Sequence, residues 1–179
     1  MLLFNHWPSV GRKWRLAKRC RTVAGGREQM KLRIPPLLQA AIFALISWAL
    51  AALLPQASIS LGWLSLVAIG LLVIGSAILL TAVLDFSRNE TTVNPLEPEQ
   101  ADTLVVSGLF RFTRNPMYLG MALVLFAWAL YLANALAIIG PVLFVASITV
   151  LQIKPEEEAL GKVFGQDYSA YRKRVRRWL

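Results

Sequence analysis

Four long runs without a charged side chain constrain the fold of this chain more than any other feature. They cover residues 37–54, 61–84, 117–133 and 135–153, and each is close to the about 20 apolar residues that a transmembrane helix needs. PQASIS separates the first run from the second, and Asn134 alone separates the third from the fourth. Because these links are so short, the runs are expected to pair into two helical hairpins. We therefore expect an all-α integral membrane protein with four transmembrane helices and a C-terminal amphipathic helix.

The positive charges indicate how these helices are oriented. Nine of the 19 Lys and Arg residues precede the first run, three lie in the loop 85–116, and seven follow residue 153. Cytoplasmic segments of membrane proteins carry the excess of Lys and Arg. Both termini and the loop are therefore predicted to face the cytoplasm, in a bacterial inner membrane. Because the cations lie outside the apolar runs, the net charge of +9 indicates topology and not nucleic-acid binding.

The same pattern divides the chain into two parts. Residues 1–33 are predicted to form a basic tail, in which Met30 is a plausible alternative start that would make residues 1–29 dispensable. Residues 34–179 are predicted to form a single membrane domain. Its polar parts are the loop 85–116 and the region 155–179, which therefore hold the candidate chemistry.

The residue types limit what that chemistry can be. Cys20 is the only cysteine and His6 the only histidine, so disulfide frameworks, Cys/His metal sites and a histidine-dependent triad are excluded from the apolar body. No glycine-rich dinucleotide or P-loop motif occurs. Any reaction must use carboxylates, Arg, Tyr, backbone groups or a cofactor.

The last region predicts an amphipathic helix against the membrane surface or the protein body. Pro155 suits a first helical turn, and Gly165 is expected to interrupt the helix. One apolar stripe recurs at helical spacing. It consists of Leu160, Phe164, Tyr168, Tyr171, Val175 and Trp178.

Two segments carry a family resemblance. They are LVVSGLFRFTRNPMYLG at 104–120, with TTVNP at 91–95 before it, and EEEALGKVFGQDYSAYRKRVRRWL at 156–179. In this order, with an apolar hairpin between them, they resemble the integral-membrane methyltransferases of the isoprenylcysteine carboxyl methyltransferase and phospholipid methyltransferase group. The matching positions are Arg114, Pro116, Tyr118, Gly120, Glu156, Glu157, Leu160, Phe164, Gly165, Tyr168 and Tyr171.

The resemblance implies S-adenosylmethionine as the cofactor, bound on the cytoplasmic side, and a lipid or lipid-linked acceptor in the membrane. The cofactor contacts that it implies are Leu104, Val105, Phe110, Asn115, Pro116, Met117, Tyr118 and Glu156. Arg114, Glu157 and Tyr168 are the candidate catalytic residues, Gln152 is the candidate substrate residue, and no metal is expected. Glu156 could hold the ammonium or ribose and Tyr118 the adenine or carboxylate of the cofactor, and the sequence does not choose between these.

The chain departs from the family pattern at two positions. Asn115 stands where the family has a histidine. An amide side chain can form hydrogen bonds, but it cannot carry a proton near neutral pH. Gln152 stands where the carboxyl-methylating members have an arginine suited to an acceptor carboxylate. The first change favours binding and alignment over acid-base work, and the second argues against a prenylated-cysteine carboxylate as the acceptor.

Several other interpretations stay open from the sequence. Arg111 and Arg114 could snorkel toward lipid phosphates, and Glu156 to Glu158 could be a solvated helix start. A membrane reductase using NADPH has a related architecture, and a non-enzymatic scaffold or transporter subunit is the third alternative. The absence of charge inside the four runs argues against a transport path. The sequence indicates neither the acceptor atom nor the oligomeric state.

Overall fold

The computed structural model describes residues 34–59, 61–88, 104 and 106–179. The predicted basic tail 1–33, the middle of the polar loop and Val105 lie outside the described residues. The described chain is helical. Its helices are α1 (Pro36–Leu53), α2 (Leu64–Arg88), α3 (Pro116–Tyr131), α4 (Ile139–Ile148) and α5 (Lys154–Arg174).

Short irregular turns join these helices. Turns of 3-10 helix cover Pro55–Ala57, Gly108–Arg111 and Ala135–Ile138, and a π turn covers Thr149–Ile153. The π turn connects α4 to α5 without a break, so the helical path that starts at Ala135 continues as far as the kink at Gly165. Its apolar part ends at Ile153, and the charged part begins at Lys154.

Three helical stretches are long and apolar enough to cross a membrane, namely Pro36–Leu53, Leu64–Asp85 and the apolar part of Ala135–Arg174. Large apolar side chains on α1 and α2 are exposed, among them Leu37, Leu45, Leu66 and Val73, as expected of helices that face lipid. α3 contains 16 residues, which corresponds to about 24 Å of helix. The predicted all-helical, membrane-spanning class is confirmed for the described residues, while the four-helix topology stays a prediction.

Two glycines bring α2 and α3 close together. A Cβ atom added to Gly120 would lie 2.8 Å from the Gly75 carbonyl oxygen and 2.9 Å from the Leu79 backbone nitrogen. A Cβ atom added to Gly75 would lie 2.9 Å from Leu123 Cβ. The two helix backbones can approach this closely only because both positions lack a side chain.

The helices α1 and α4 pack around a small polar contact. Ser47 is fully buried, and its hydroxyl donates a 2.8 Å hydrogen bond to the Ala137 carbonyl. Gly140 lies against Ser47, where any Cβ would clash. The adjoining apolar core contains Tyr118, Ala122, Leu125, Phe144, Ile148 and Ile153.

The two links that join the hairpin helices lie at the same end of the bundle. The Ile59 amide donates to the Ala133 carbonyl at 2.7 Å, and the Asn134 side-chain amide donates to the Leu54 carbonyl at 2.9 Å. Because α1 and α3 end at these links and α2 and α4 begin beside them, the other ends of the four helices lie at the opposite end of the bundle. The N-terminus of α3 and the start of α5 are therefore on the same side of the bundle.

The C-terminal region packs on the protein body through its predicted stripe. Tyr168, Tyr171 and Val175 are buried and contact Leu104 and Val106 from the loop before α3. Gly165 has φ +52° and ψ −115° inside α5, a conformation that favours glycine. The predicted break at Gly165 is thereby confirmed, and it lets the second half of α5 turn onto the loop.

Candidate functional site

Residues 175–179 are here called the C-terminal strap. Hydrogen bonds to the strap backbone join it to the loop before α3. The Arg114 amide donates to the Arg176 carbonyl at 3.0 Å. The Thr113 hydroxyl and the Asn115 side-chain amide both donate to the Arg177 carbonyl, at 3.2 and 2.9 Å. These bonds place the strap beside the start of α3.

Asn115 and Pro116 form the boundary that the sequence predicted. α3 begins at Pro116, where the missing N–H costs no helical hydrogen bond. Asn115 makes no side-chain cap and binds the strap instead. The position where the family has a histidine is therefore used here to attach the last residues of the chain.

A second contact ties the loop to α5. The Tyr171 hydroxyl donates a buried 2.7 Å hydrogen bond to the carbonyl of Phe110. Burial raises the pKa of the Tyr171 hydroxyl well above its ordinary value, so the group stays a proton donor at neutral pH. Phe110 itself is buried in the 3-10 turn, with its backbone fixed by this bond.

The two sequence motifs meet through a tyrosine and a glutamate. Tyr118 lies in the first turn of α3, and its hydroxyl donates a 2.7 Å hydrogen bond to Glu156 Oε1 in the first turn of α5. Pro116 and Met117 occupy the same turn of α3 as Tyr118. A charged acceptor makes this a strong hydrogen bond, and it joins two residues that are 38 positions apart in the chain.

The neighbouring Glu157 lies between two arginines. Arg177 holds both carboxylate oxygens, with Nε 2.9 Å from Oε1 and Nη2 2.8 Å from Oε2. Arg114 Nη1 lies 3.2 Å from Oε1 on the other side, and the Arg114 and Glu157 side chains are only 9% and 8% exposed. The arrangement is a partly buried Arg–Glu–Arg triad at the junction of loop, α5 and strap.

The triad changes the protonation chemistry of its members. Burial alone would raise the pKa of Glu157, but the hydrogen bond from Arg177 and the charges of Arg114, Arg177 and Arg172 lower it below its ordinary value of 4.5. Burial and the charge of Glu157 raise the pKa of Tyr168 above 10.0, against the opposing effect of Arg114. At neutral pH, Glu157 is a weak base and Tyr168 is protonated.

Arg114 has hydrogen-bonding capacity that the described residues do not use. Its Nε and Nη1 atoms are buried and have no hydrogen-bond partner there. Nη1 meets Glu157 only as an ion pair, without hydrogen-bond geometry. An unsatisfied buried donor is costly. These two atoms are therefore suited to an acceptor group on a ligand.

Most of the site residues named from the sequence are gathered at this junction. Leu104 packs on Tyr168 and Tyr171, and Gln152 is fully buried in the π turn, four positions before Glu156. Arg111 is exposed. Val105 lies outside the described residues. The structure thus joins Arg114 to Glu157, Tyr118 to Glu156 and Asn115 to the strap by direct contacts. Phe110 and Tyr168 lie beside them through their contacts with Tyr171, and Pro116 and Met117 share the first turn of α3 with Tyr118.

Arg177 is a site residue that sequence reasoning missed. It belongs to the run RKRVRR, in which several arginines look equivalent. The spacing of Val175 and Trp178 on the apolar stripe indicated that the strap packs inward, and Arg177 lies between them. That spacing indicates an inward-facing strap but does not distinguish Arg177 from Arg176, which also lies between the two residues.

Comparisons with known proteins agree with these features. The family model for phospholipid methyltransferase matches residues 63–167, which include the whole of the segment 104–120 and the first part of the segment 156–179. An uncharacterized protein of Haemophilus influenzae is 46% identical over 63 residues, covering 35% of this chain and all of that protein. No solved structure matches the chain.

Two curated enzymes are more distant relatives. Protein-S-isoprenylcysteine O-methyltransferase of Xenopus laevis is 29% identical over 117 residues, covering 63% of this chain and 39% of that protein. Protein-S-isoprenylcysteine O-methyltransferase B of Arabidopsis thaliana is 26% identical over 113 residues, covering 63% of this chain and 57% of that protein. The chain therefore spans about two fifths to three fifths of the length of these relatives.

Proposed function

We propose that this chain, which belongs to the phospholipid methyltransferase family, transfers a methyl group from S-adenosylmethionine to a lipid or other hydrophobic acceptor in the membrane. One observation carries the proposal. The two motif segments, far apart in sequence, are joined by the Tyr118–Glu156 hydrogen bond and the Arg114–Glu157 ion pair. The family match supports methyl transfer over the reductase and scaffold alternatives.

The charges at the junction fit this cofactor. S-adenosylmethionine carries a carboxylate, an ammonium and a sulfonium. The buried Nε and Nη1 donors of Arg114 suit the carboxylate, and the carboxylate of Glu156 suits the ammonium or the ribose hydroxyls. Leu104, Val105, Phe110, Asn115, Pro116, Met117 and Tyr118 are proposed to complete the binding site.

Alignment is the main catalytic contribution that we propose for the protein. When bound, S-adenosylmethionine supplies a methyl group activated on a cationic sulfur. Such a transfer gains most from orientation and from exclusion of water. Glu157, whose pKa is lowered, and Tyr168, whose pKa is raised, would orient Arg114 and not remove a proton. An acceptor amine would lose its proton to water.

Gln152 is proposed to face the acceptor. Its neutral amide gives no positive charge to hold a carboxylate, which favours a phospholipid headgroup amine over an isoprenoid-linked carboxylate. The isoprenoid-linked carboxylate remains the alternative acceptor, because two curated relatives are named as isoprenylcysteine O-methyltransferases. Extracting membranes after incubation with isotopically labelled cofactor, and identifying the labelled species, distinguishes the two.

The proposed topology places this chemistry in the cytoplasm. α1, α2, α3 and the path from residue 135 to 153 would cross a bacterial inner membrane as two hairpins. The shared position of the two short links at one end of the bundle supports this arrangement. Both termini and the site would then lie on the side where soluble S-adenosylmethionine is present.

Cofactor binding tests the proposal directly. Calorimetry on the protein in detergent should give binding of S-adenosylmethionine that weakens roughly tenfold or more in Glu156→Ala and severalfold in Tyr118→Phe. Loss of a hydrogen bond to a charged group costs about 1.5–3 kcal/mol, which sets this scale. NADPH should not compete.

Matched controls separate the site from general damage. Glu158→Ala removes an exposed glutamate of the same helix turn, and Tyr131→Phe removes an exposed hydroxyl at the far end of α3. Both should bind as the unsubstituted protein does. Equal affinity in all four variants would contradict the site assignment, and displacement by NADPH would favour the reductase.

A further inference from the structure

We propose that Arg177 is a positioning residue for the proposed methyl transfer: by holding both oxygens of Glu157, it keeps two donors of Arg114 available to an oxyanion on a reactant. The inference rests on the proposed function. It names the chemical class that Arg114 recognises, either the carboxylate of the methyl donor or the phosphate of a phospholipid acceptor. It also gives the C-terminal strap a role in the reaction.

The first step is the unequal division of Glu157 between the two arginines. Arg177 engages Oε1 and Oε2 in a two-point contact at 2.9 and 2.8 Å, a geometry that fixes the plane of a carboxylate. Arg114 approaches Oε1 at 3.2 Å without forming a hydrogen bond. The orientation that satisfies Arg177 therefore prevents Glu157 from satisfying Arg114.

The second step is the charge at the triad. Two guanidinium groups surround one carboxylate, so the triad has one positive charge in excess. Arg114 is the more buried cation, since its side chain is 9% exposed and that of Arg177 is 30% exposed. Buried charge is costly unless it is paired and hydrogen-bonded. A reactant oxyanion would supply both the charge and the acceptors that Arg114 lacks.

The third step is that the strap stays in place without the Arg177 side chain. Its backbone accepts hydrogen bonds from the Arg114 backbone amide, the Thr113 hydroxyl and the Asn115 side-chain amide. Val175 and Trp178 also pack against the body. Removing the guanidinium therefore releases Glu157 without removing the strap. The freed carboxylate can rotate and form hydrogen bonds with Arg114, which uses up the donors that a reactant needs.

The experiment uses the full chain in detergent, with Arg177→Ala, Arg177→Lys and the matched control Arg176→Ala, whose side chain is exposed. Calorimetry measures affinity for S-adenosylmethionine and for its decarboxylated analogue. Methyl transfer to phosphatidylethanolamine vesicles gives KM and kcat. Each variant is also made in a Glu157→Gln background, where no carboxylate remains to capture Arg114.

Two results would support the inference. If the oxyanion is the donor carboxylate, Arg177→Ala weakens S-adenosylmethionine binding at least tenfold and leaves the decarboxylated analogue unchanged. If it is the lipid phosphate, Arg177→Ala leaves donor affinity unchanged and raises KM for the vesicles at least tenfold. In both cases Arg177→Lys recovers part of the loss, and the effect shrinks severalfold in the Glu157→Gln background.

Other results would overturn it. Equal binding and KM in Arg177→Ala and Arg176→Ala would remove the positioning role and leave the proposed function intact. The same loss in both Glu157 backgrounds would show a purely structural effect of Arg177. If the unsubstituted protein neither binds the donor nor transfers a methyl group, the proposed function fails and this inference fails with it. Thermal melting of each variant identifies any that does not fold.

Discussion

At the scale of single residues, the chemistry of the site depends on one carboxylate shared by two guanidinium groups. Glu157 would be strongly destabilised at its buried position if it were alone. Arg177 and Arg114 offset that cost and hold the pKa of Glu157 below 4.5. Folding is therefore linked to the ionisation of this group.

The linkage predicts how stability depends on pH. Because the folded-state pKa of Glu157 is lowered, its contribution to the free energy of unfolding is fully present above pH 4.5 and is lost as the pH falls through the folded-state value. The melting temperature in detergent should fall more steeply below pH 4.5 for the unsubstituted protein than for Glu157→Gln. Glu158→Gln, at an exposed position, should keep the steep dependence. Parallel curves for all three would contradict the prediction.

Residue-level prediction from the sequence succeeded where a motif fixes the spacing. Arg114 and Glu157 were named as site residues, and the structure brings them within 3.2 Å. Arg177 could not be chosen among its neighbours, because its role depends on how the strap folds back onto Thr113 and Asn115. That contact joins residues more than 60 positions apart, which local periodicity does not encode.

At the scale of helices, glycine positions decide how closely α2 and α3, which belong to different predicted hairpins, pack together. Gly70 and Gly75 look alike in the sequence of α2, and both are candidates for helix contacts. In the structure a Cβ on Gly75 would meet Leu123 and Gly120, whereas a Cβ on Gly70 would meet nothing within 4 Å. The sequence predicts the hairpins, but which glycine faces the partner helix follows from tertiary packing.

The packing predicts opposite effects of a glycine-to-alanine substitution at Gly120, which contacts Gly75, and at Gly70, which lies in open space. Gly120→Ala forces α2 and α3 apart and should destabilise the protein by about 1–3 kcal/mol. Gly70→Ala enters open space and should be neutral or stabilising by up to about 1 kcal/mol, because alanine loses less backbone entropy. Unfolding titrations in mixed detergent micelles measure both, and a similar loss for the two variants would contradict the packing.

At the scale of the whole molecule, the bundle has two different ends. One end is closed by the hydrogen-bonded links, and the other carries the loop, the triad and the strap. The sequence predicted this separation from the distribution of Lys and Arg. It also predicted the length of α3, since the apolar run 117–133 has 17 residues and the helix has 16. It could not predict the hydrogen bonds that join the two links, because these connect residues far apart in the sequence.

Cysteine labelling tests which end faces which compartment. In a Cys20→Ser background, Gln56→Cys lies in the first link and Lys162→Cys in α5, both at exposed positions. In spheroplasts, a membrane-impermeant maleimide should label Gln56→Cys at once. It should label Lys162→Cys only after permeabilisation, at least tenfold more than before. The reverse pattern would invert the topology, and immediate labelling of both would contradict the two-hairpin arrangement.

The π turn at Thr149–Ile153 sets the direction in which the side chains of the first turn of α5 point about the helix axis. A π turn contains one more residue than the α turn it replaces, and one residue corresponds to about 100° of helix rotation. Without it, Glu156 and Glu157 would point about a quarter-turn away from Tyr118 and Arg114. The alignment of two charged side chains of α5 thus depends on a single extra residue inside the apolar segment that precedes them.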